Sequence, residues 1–132
     1  MLQVQNGSVR VRSTILEPYA GEPLEQAVQA FPMLITNGQA SFANPQGDRI
    51  SRRTLVGQDR QGRILLIATP SLVGMKLVDL SSYLAATDLD LVNAVNLDGG
   101  GSTMLALDAP GQPSYQILSL DPVPTVLAVY PR

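Results

Sequence analysis

Three consecutive glycines, at positions 99–101, lie between two apolar runs at residues 91–95 and 104–107. Glycine lacks a Cβ atom and reaches positive φ at little steric cost, so the backbone can turn sharply here and expose its N–H groups. The apolar runs on both sides predict strands. The stretch therefore predicts a loop between two strands, with backbone donors that suit an anionic, oxygen-rich ligand.

Polar side chains border these glycines on both sides. Asn96 and Asp98 precede them, and Ser102 and Thr103 follow them. Asp98 is a candidate catalytic carboxylate, a candidate cation ligand, or an acceptor for the amides of its own turn, which is the usual role of a lone Asp-Gly pair. A two-residue hairpin does not need three glycines, and fixing them costs entropy, so the pattern favours a binding or catalytic loop.

Composition excludes several kinds of chemistry. The 132 residues include no Cys and no His, which removes disulfides, thiol nucleophiles, Ser-His triads and the usual zinc ligands. Carboxylates must carry any acid–base work. We predict no cofactor and no metal ligand set, although a calcium or magnesium site built from Asp98 and backbone oxygens stays open.

Charge and hydropathy bear on partners. Nine Lys and Arg against eleven Asp and Glu give a net charge of −2, so nucleic acid is not an expected partner. No apolar run approaches the roughly 20 residues that a membrane-spanning helix needs. Residues 1–15 lack the apolar region of a signal peptide, so we predict no membrane span and leave localisation open.

Residue spacing predicts the order of the elements. Apolar periodicity predicts two helices, one from Pro23 to Phe31 and one over residues 75–86. Asn37-Gly38 and Gln61-Gly62 predict tight hairpins. Strands are predicted at residues 8–16, 32–36, 39–43, 54–59, 63–69, 92–97, 104–108, 115–120 and 123–130. The expected fold is therefore α+β: a single domain over residues 1–132 with a mixed, largely antiparallel sheet and two helices.

A cluster of arginines lies between residues 49 and 63. Its members are Arg49, Arg52, Arg53, Arg60 and Arg63. Arg60 and Arg63 flank a turn and are expected on a solvated rim. Arg53 directly precedes a predicted strand, and a guanidinium binds phosphate in a bidentate manner, so Arg53 is the candidate for a ligand contact. Arg52 is the alternative, because neighbouring residues in a strand point to opposite faces.

The segment Asn96-Leu97-Asp98-Gly99-Gly100-Gly101-Ser102-Thr103 resembles the signature of the phosphodiester glycosidase family. That family includes the lysosomal uncovering enzyme and bacterial domains related to exopolysaccharide biosynthesis. Residues 31–38, 53–66 and 123–129 resemble the same family in the same order, so the resemblance covers about residues 31–130.

The resemblance implies a function and a set of site residues. The implied reaction is hydrolysis of a sugar-phosphate phosphodiester at its glycosidic bond, with a sugar phosphate or polysaccharide as substrate. The implied catalytic residues are Asp98 and Arg53, and the implied substrate-binding residues are Asn96, Gly99, Gly100, Gly101, Ser102, Thr103 and Thr54. A secreted or cell-envelope location is implied as well.

The chain departs from the family before Phe31. Family members carry additional sequence there, including an Asn-Gly-Gly-Phe-like segment, whereas none of the 30 residues before Phe31 matches it. We therefore expect the family's N-terminal portion to be lacking, and an exposed sheet edge to favour a homodimer. Two alternatives stay open: a non-catalytic module that binds glycans or sugar phosphates, and a structural or assembly domain that keeps the motif as a turn.

Overall fold

The computed structural model describes residues 1–130 and shows a mainly β protein. These residues form ten strands in three antiparallel sheets and one α-helix. The predicted α+β fold with two helices and a mixed sheet is therefore wrong. In chain order the elements are β1 (Leu2–Gln5), β2 (Ser8–Val11), β3 (Gln26–Val28), β4 (Met33–Thr36), β5 (Gln39–Ala40), β6 (Thr54–Asp59), β7 (Ile64–Ala68), α1 (Leu77–Ala85), β8 (Leu91–Asn96), a 3-10 turn (Gly100–Ser102), β9 (Leu105–Leu107) and β10 (Tyr115–Ile117).

The largest sheet has five strands in the order β5-β4-β8-β6-β7, with β8 at its centre. The predicted hairpin at Asn37-Gly38 is confirmed: it joins β4 to β5, and both residues have positive φ, at 53° and 79°. A type I′ turn requires positive φ at both positions, which Asn and Gly tolerate best. The second predicted hairpin joins β6 to β7 through Gly62, whose φ is 81°.

The helix predicted over residues 75–86 is confirmed as α1. It connects β7 to β8, which lie on either side of β6 and are both antiparallel to it. The two strands therefore run in the same direction without being neighbours, which is how the sheet accommodates a helical crossover while every pairing stays antiparallel. Among residues 1–130 no helix combines the length and apolar character needed to cross a bilayer.

Apolar side chains cover both faces of the five-stranded sheet. One buried cluster contains Leu55 and Ala94 together with Leu80 and Leu84 of α1. The next residues along the strands, Val56 and Val95, point to the opposite face and pack with Leu2 and Val11. The protein is thus layered, with α1 on one face of the sheet and the sheet β2-β1-β3 on the other.

Two predicted elements are corrected by the structure. Residues 26–28, predicted as helix, form β3 and pair with β1. The apolar residues of that supposed helical face are not buried together, since Val28 and Phe31 are 42% and 79% exposed. Residues 123–130, predicted as a closing strand, form no strand. In both segments local spacing was outweighed by whether a partner strand lies alongside.

Candidate functional site

Three chain segments meet at one end of the five-stranded sheet. Because β8 is antiparallel to both β4 and β6, its last residues lie beside the first residues of those strands. The register pairs Met33 with Val95 and Leu55 with Asn96, and the Leu97 amide donates to the Thr54 carbonyl at 2.8 Å. The residues before β4, before β6 and after β8 therefore converge, although they are far apart in sequence.

An open cleft of about 550 Å³ lies at this convergence. Five predicted site residues line it, namely Arg53, Asn96, Asp98, Gly99 and Gly100. The other lining residues are Gln29, Ala30, Phe31, Ser51 and Leu97. Four predicted site residues are not part of the lining: Thr54, Gly101, Ser102 and Thr103. The structure thus brings the first half of the glycine motif and Arg53 to one cavity.

Asp98 is the one carboxylate among the residues that line this cleft. It is exposed, and its Oδ1 accepts a hydrogen bond from the Gly99 amide at 2.9 Å. Within residues 1–130 no Lys or Arg lies within ion-pair distance of it. The same residues include no group of three or more His, Cys, Asp or Glu side chains arranged to hold a metal ion. Asp98 thus brings to the cleft a carboxylate whose Oδ2 accepts a hydrogen bond from none of residues 1–130.

Each glycine of the loop meets a different structural requirement. At Gly99 a Cβ would lie 2.8 Å from the Arg52 carbonyl oxygen, so the two backbone segments approach too closely for a side chain. Gly100 has a φ of 62°, in the left-handed region. At Gly101 a Cβ would collide with the Asp121 carboxylate, at 1.8 Å from its Oδ2. The three consecutive glycines therefore reflect two close contacts and one left-handed backbone conformation.

The amides of this loop are mostly engaged within the chain. Gly99 donates to Asp98, Gly100 donates to the Arg52 carbonyl at 2.8 Å, and Ser102 donates to the Gly99 carbonyl at 3.1 Å. The amides of Gly99 and Gly100 are therefore already engaged within the chain. The loop contributes glycine backbone without side chains to the cleft, next to the exposed Asp98 carboxylate.

Arg53 is anchored at the cleft by several acceptors. Its Nε donates to the Met75 carbonyl at 2.8 Å, and its Nη2 donates to Asp48 Oδ1 at 3.1 Å and to the Arg49 carbonyl. Its Nη1 donates to none of the described residues. The side chain is 12% exposed, so the guanidinium is held in one orientation with part of its donor capacity unused.

Asp48, which the sequence analysis did not identify, ties Arg53 to the start of α1. Its side chain is 1% exposed, and its two oxygens accept the amides of Leu77 and Val78 at 2.9 Å each. Burial is the largest influence on the pKa of Asp48 and raises it. The two helix amides and the positive charges of Arg53 and Lys76 outweigh burial and hold the pKa below its ordinary value.

Arg52, the alternative candidate, has a structural role. It is 8% exposed, and its Nη2 donates to the carbonyl oxygens of Thr103 and Leu118 at 2.7 and 2.8 Å. Thr103 is fully buried beneath it. Arg52 therefore holds the far side of the glycine loop, while its neighbour Arg53 is among the residues that line the cleft.

Two further arginines of the cluster lie on a hairpin rim. The side chains of Arg60 and Arg63 are 64% and 71% exposed and pair with Asp90 and Asp59. Asp59 is buried and engaged by Arg63. Burial raises its pKa, but the hydrogen bonds and charge of Arg63 outweigh that effect and lower it.

Asp98, Gly99, Gly100 and the anchored Arg53 thus share one polar cleft at the end of a central strand. The model of the phosphodiester glycosidase family matches residues 2–130, and the chain belongs to that family.

Individual relatives are similar to parts of the chain. The human N-acetylglucosamine-1-phosphodiester alpha-N-acetylglucosaminidase is 30% identical over 108 residues, which is 80% of this chain and 18% of the human protein. The mouse protein of the same name is 34% identical over 86 residues, 63% of this chain and 16% of the mouse protein. The crystal structure of a hypothetical protein from Synechocystis matches with a TM-score of 0.50 and 34% identity, over 59% of this chain and 16% of that one. The chain thus spans less than a fifth of the length of these relatives.

Proposed function

We propose that this protein hydrolyses the glycosidic bond of a sugar linked through a phosphodiester, and that the cleft between Arg53 and the glycine loop is its active site. The observation that supports this most directly is the convergence of Asp98 and Arg53 on one cleft. A carboxylate suits the positive charge that develops at an anomeric carbon, and a guanidinium suits a phosphate. Family membership supports the same chemistry.

In this proposal Arg53 binds the phosphodiester through the edge of its guanidinium that carries Nη1. Asp98 lies near the anomeric carbon and acts as nucleophile, as base toward water, or as the stabiliser of an oxocarbenium-like transition state. The bond between the anomeric carbon and the phosphate oxygen breaks, and the phosphate monoester leaves with the electron pair. Water supplies the new hydroxyl group, and its proton passes to solvent.

A phosphate leaving group needs little protonation, which bears on the number of carboxylates. Glycosidases ordinarily use a pair, one of them to protonate the leaving oxygen. Asp98 is the one carboxylate in the described lining of the cleft. A single carboxylate together with charge stabilisation by Arg53 is sufficient for the proposed reaction.

Asn96, Gly99 and Gly100 contribute to the proposed substrate site from the same loop. Asn96 lines the cleft, and its side-chain Nδ2 donates to the Phe31 carbonyl at 3.3 Å, which fixes the cleft wall. The glycines allow a ligand to approach the backbone closely. Thr54, Gly101, Ser102 and Thr103 lie outside the lining.

The test is release of sugar from an aryl α-glycoside phosphodiester or a UDP-sugar. We expect Asp98→Asn to lower the rate of sugar release at least a hundredfold, because it removes the charge that acts in the transition state. Asp88→Asn is the matched control, since Asp88 is an exposed carboxylate outside the cleft. Equal rates for the wild type and Asp98→Asn would refute the catalytic assignment.

The single carboxylate also favours a second candidate, a non-catalytic module that binds sugar phosphates. Saturable thermal stabilisation by a sugar phosphate without any sugar release would identify this module. Absence of both release and stabilisation would leave a structural role for the glycine loop.

A further inference from the structure

Phe31 exposes its ring at the cleft. It is one of the lining residues and is 79% exposed. Full burial of such a side chain is worth about 1.5–3 kcal/mol, and the other phenylalanine, Phe42, packs against the main apolar cluster. The exposed Phe31 side chain lacks that stabilisation and lies instead beside a mainly polar cleft.

The backbone that carries Phe31 is fixed relative to the glycine loop. Asn96 donates through its side-chain Nδ2 to the Phe31 carbonyl at 3.3 Å and through its backbone amide to the Pro32 carbonyl at 2.9 Å. Pro32 is itself buried, and β4 begins at the next residue. Since Asn96 is two residues before Asp98, the attachment point of the aromatic ring and the candidate catalytic carboxylate belong to one hydrogen-bonded unit.

The lining around Phe31 combines an apolar plane with groups that donate and accept hydrogen bonds. Gln29 carries an amide, Ser51 carries a hydroxyl, and Arg53 carries a cation. A pyranose has a flat apolar face of C–H groups and a rim of hydroxyl groups, each of which both donates and accepts. An exposed aromatic ring can pack against the apolar face, and polar side chains can hydrogen-bond to the hydroxyl groups.

We propose that Phe31 is the platform on which the pyranose ring of the ligand packs, and that it determines the preference of this cleft for a sugar phosphate over phosphate alone. The inference rests on the proposed function. It assigns recognition of the sugar to Phe31, whereas the proposed function assigns binding of the phosphate to Arg53. The protein therefore recognises the two halves of its ligand with residues from different segments, one before β4 and one before β6.

A tryptophan substitution makes this platform observable. The chain contains no tryptophan, so Phe31→Trp carries the sole indole fluorophore. We expect N-acetylglucosamine 1-phosphate to change its emission in a saturable manner and inorganic phosphate to leave it unchanged. Leu72→Trp is the control, because Leu72 is 99% exposed and outside the cleft lining, and its emission should respond to neither ligand. Identical responses of the two variants would overturn the proposal.

Affinities measured by calorimetry separate the sugar from the phosphate. Phe31→Ala should weaken binding of N-acetylglucosamine 1-phosphate by roughly tenfold and leave binding of inorganic phosphate unchanged, whereas Phe31→Tyr should stay within about threefold of the wild type. Because the ring is exposed, these variants should unfold at the wild-type temperature. Unchanged sugar-phosphate affinity in Phe31→Ala would overturn this inference while the proposed function stands.

Two further outcomes overturn the inference in different ways. If sedimentation shows a dimer in the wild type that Phe31→Ala dissociates, the ring covers a second copy of the chain instead of a sugar. If the wild type neither binds the sugar phosphate nor releases sugar, the proposed function fails, and the platform fails with it.

Discussion

The ion pair between Asp48 and Arg53 is the contact on which both stability and the candidate site depend. The side chains of Asp48 and Arg53 are 1% and 12% exposed, and Nη2 of Arg53 lies 3.1 Å from Oδ1 of Asp48. Asp48→Asn keeps the shape of the side chain, removes its charge and replaces one acceptor oxygen with a donor. The variant therefore leaves a nearly buried guanidinium without its counter-charge.

The loss in the free energy of unfolding depends on the contacts that Arg53 keeps in the variant. Removing one partner of a buried ion pair costs about 3–5 kcal/mol. The carbonyls of Met75 and Arg49 still accept from the guanidinium, and an Asn oxygen still accepts one helix amide, so the lower end applies. We expect a loss of about 3 kcal/mol in the free energy of unfolding, which lowers Tm by about 10 °C in a chain of this size.

The effect should depend on pH with a defined sign. The pKa of Asp48 is lowered in the folded protein, so its stabilisation is fully present above the unfolded value near 3.9 and is lost as pH falls through the folded pKa. The difference between the wild type and Asp48→Asn should therefore be constant near neutral pH and shrink below about pH 4.

Urea denaturation of four proteins measures this directly: the wild type, Asp48→Asn, Arg53→Met and the double variant. A double-mutant cycle should give a coupling energy of at least about 1 kcal/mol between the two side chains. Asp79→Asn is the matched control, since Asp79 is an exposed acid in the first turn of the same helix. A loss below about 1 kcal/mol for Asp48→Asn, a coupling energy near zero, or a pH-independent difference would refute the reasoning.

Three further variants test the glycine loop and the arginine that holds it. Gly99→Ala should lower sugar release at least about tenfold and cost about 1–3 kcal/mol, because the new Cβ meets the Arg52 carbonyl oxygen at 2.8 Å; unchanged activity would contradict that close approach. Arg52→Met should destabilise the protein by about 2–3 kcal/mol in urea denaturation, since it leaves two backbone carbonyls without a donor, and Arg52→Lys should recover only part of the loss. Wild-type stability in Arg52→Met would refute its structural role.

The elements that depend mainly on residues adjacent in sequence were predicted correctly from the sequence. Asn37-Gly38 supports a turn through its own backbone preferences, and α1 was visible in the spacing of Leu80 and Leu84, which are both buried. The strand over residues 26–28 was missed because its spacing also fits a helix, and β1, which was not predicted, supplies its partner. Residues 123–130 have the composition of a strand and form none, because a strand needs another strand beside it.

Some residues of the candidate site were likewise predicted from the sequence, and others were found only in the structure. The glycine motif, Asp98 and Arg53 were identified from the sequence, because residue type and family resemblance are both properties of short segments. Asp48 gave no comparable signal, since the helix amide that it accepts lies 29 residues further along the chain. Phe31 was assigned to the end of a helix and became a cleft residue only because β4 pairs with β8.

By itself, the sequence determined where the chain turns, which residue types are available for chemistry, and the family to which the chain belongs. Only the tertiary structure decided that Arg53 rather than Arg52 lines the cleft, that Asp48 neutralises part of its charge, and that the amides of Gly99 and Gly100 are engaged within the chain. The physical reason is that exposure and hydrogen-bond partners are set by segments distant in sequence that pack together, which no local pattern specifies.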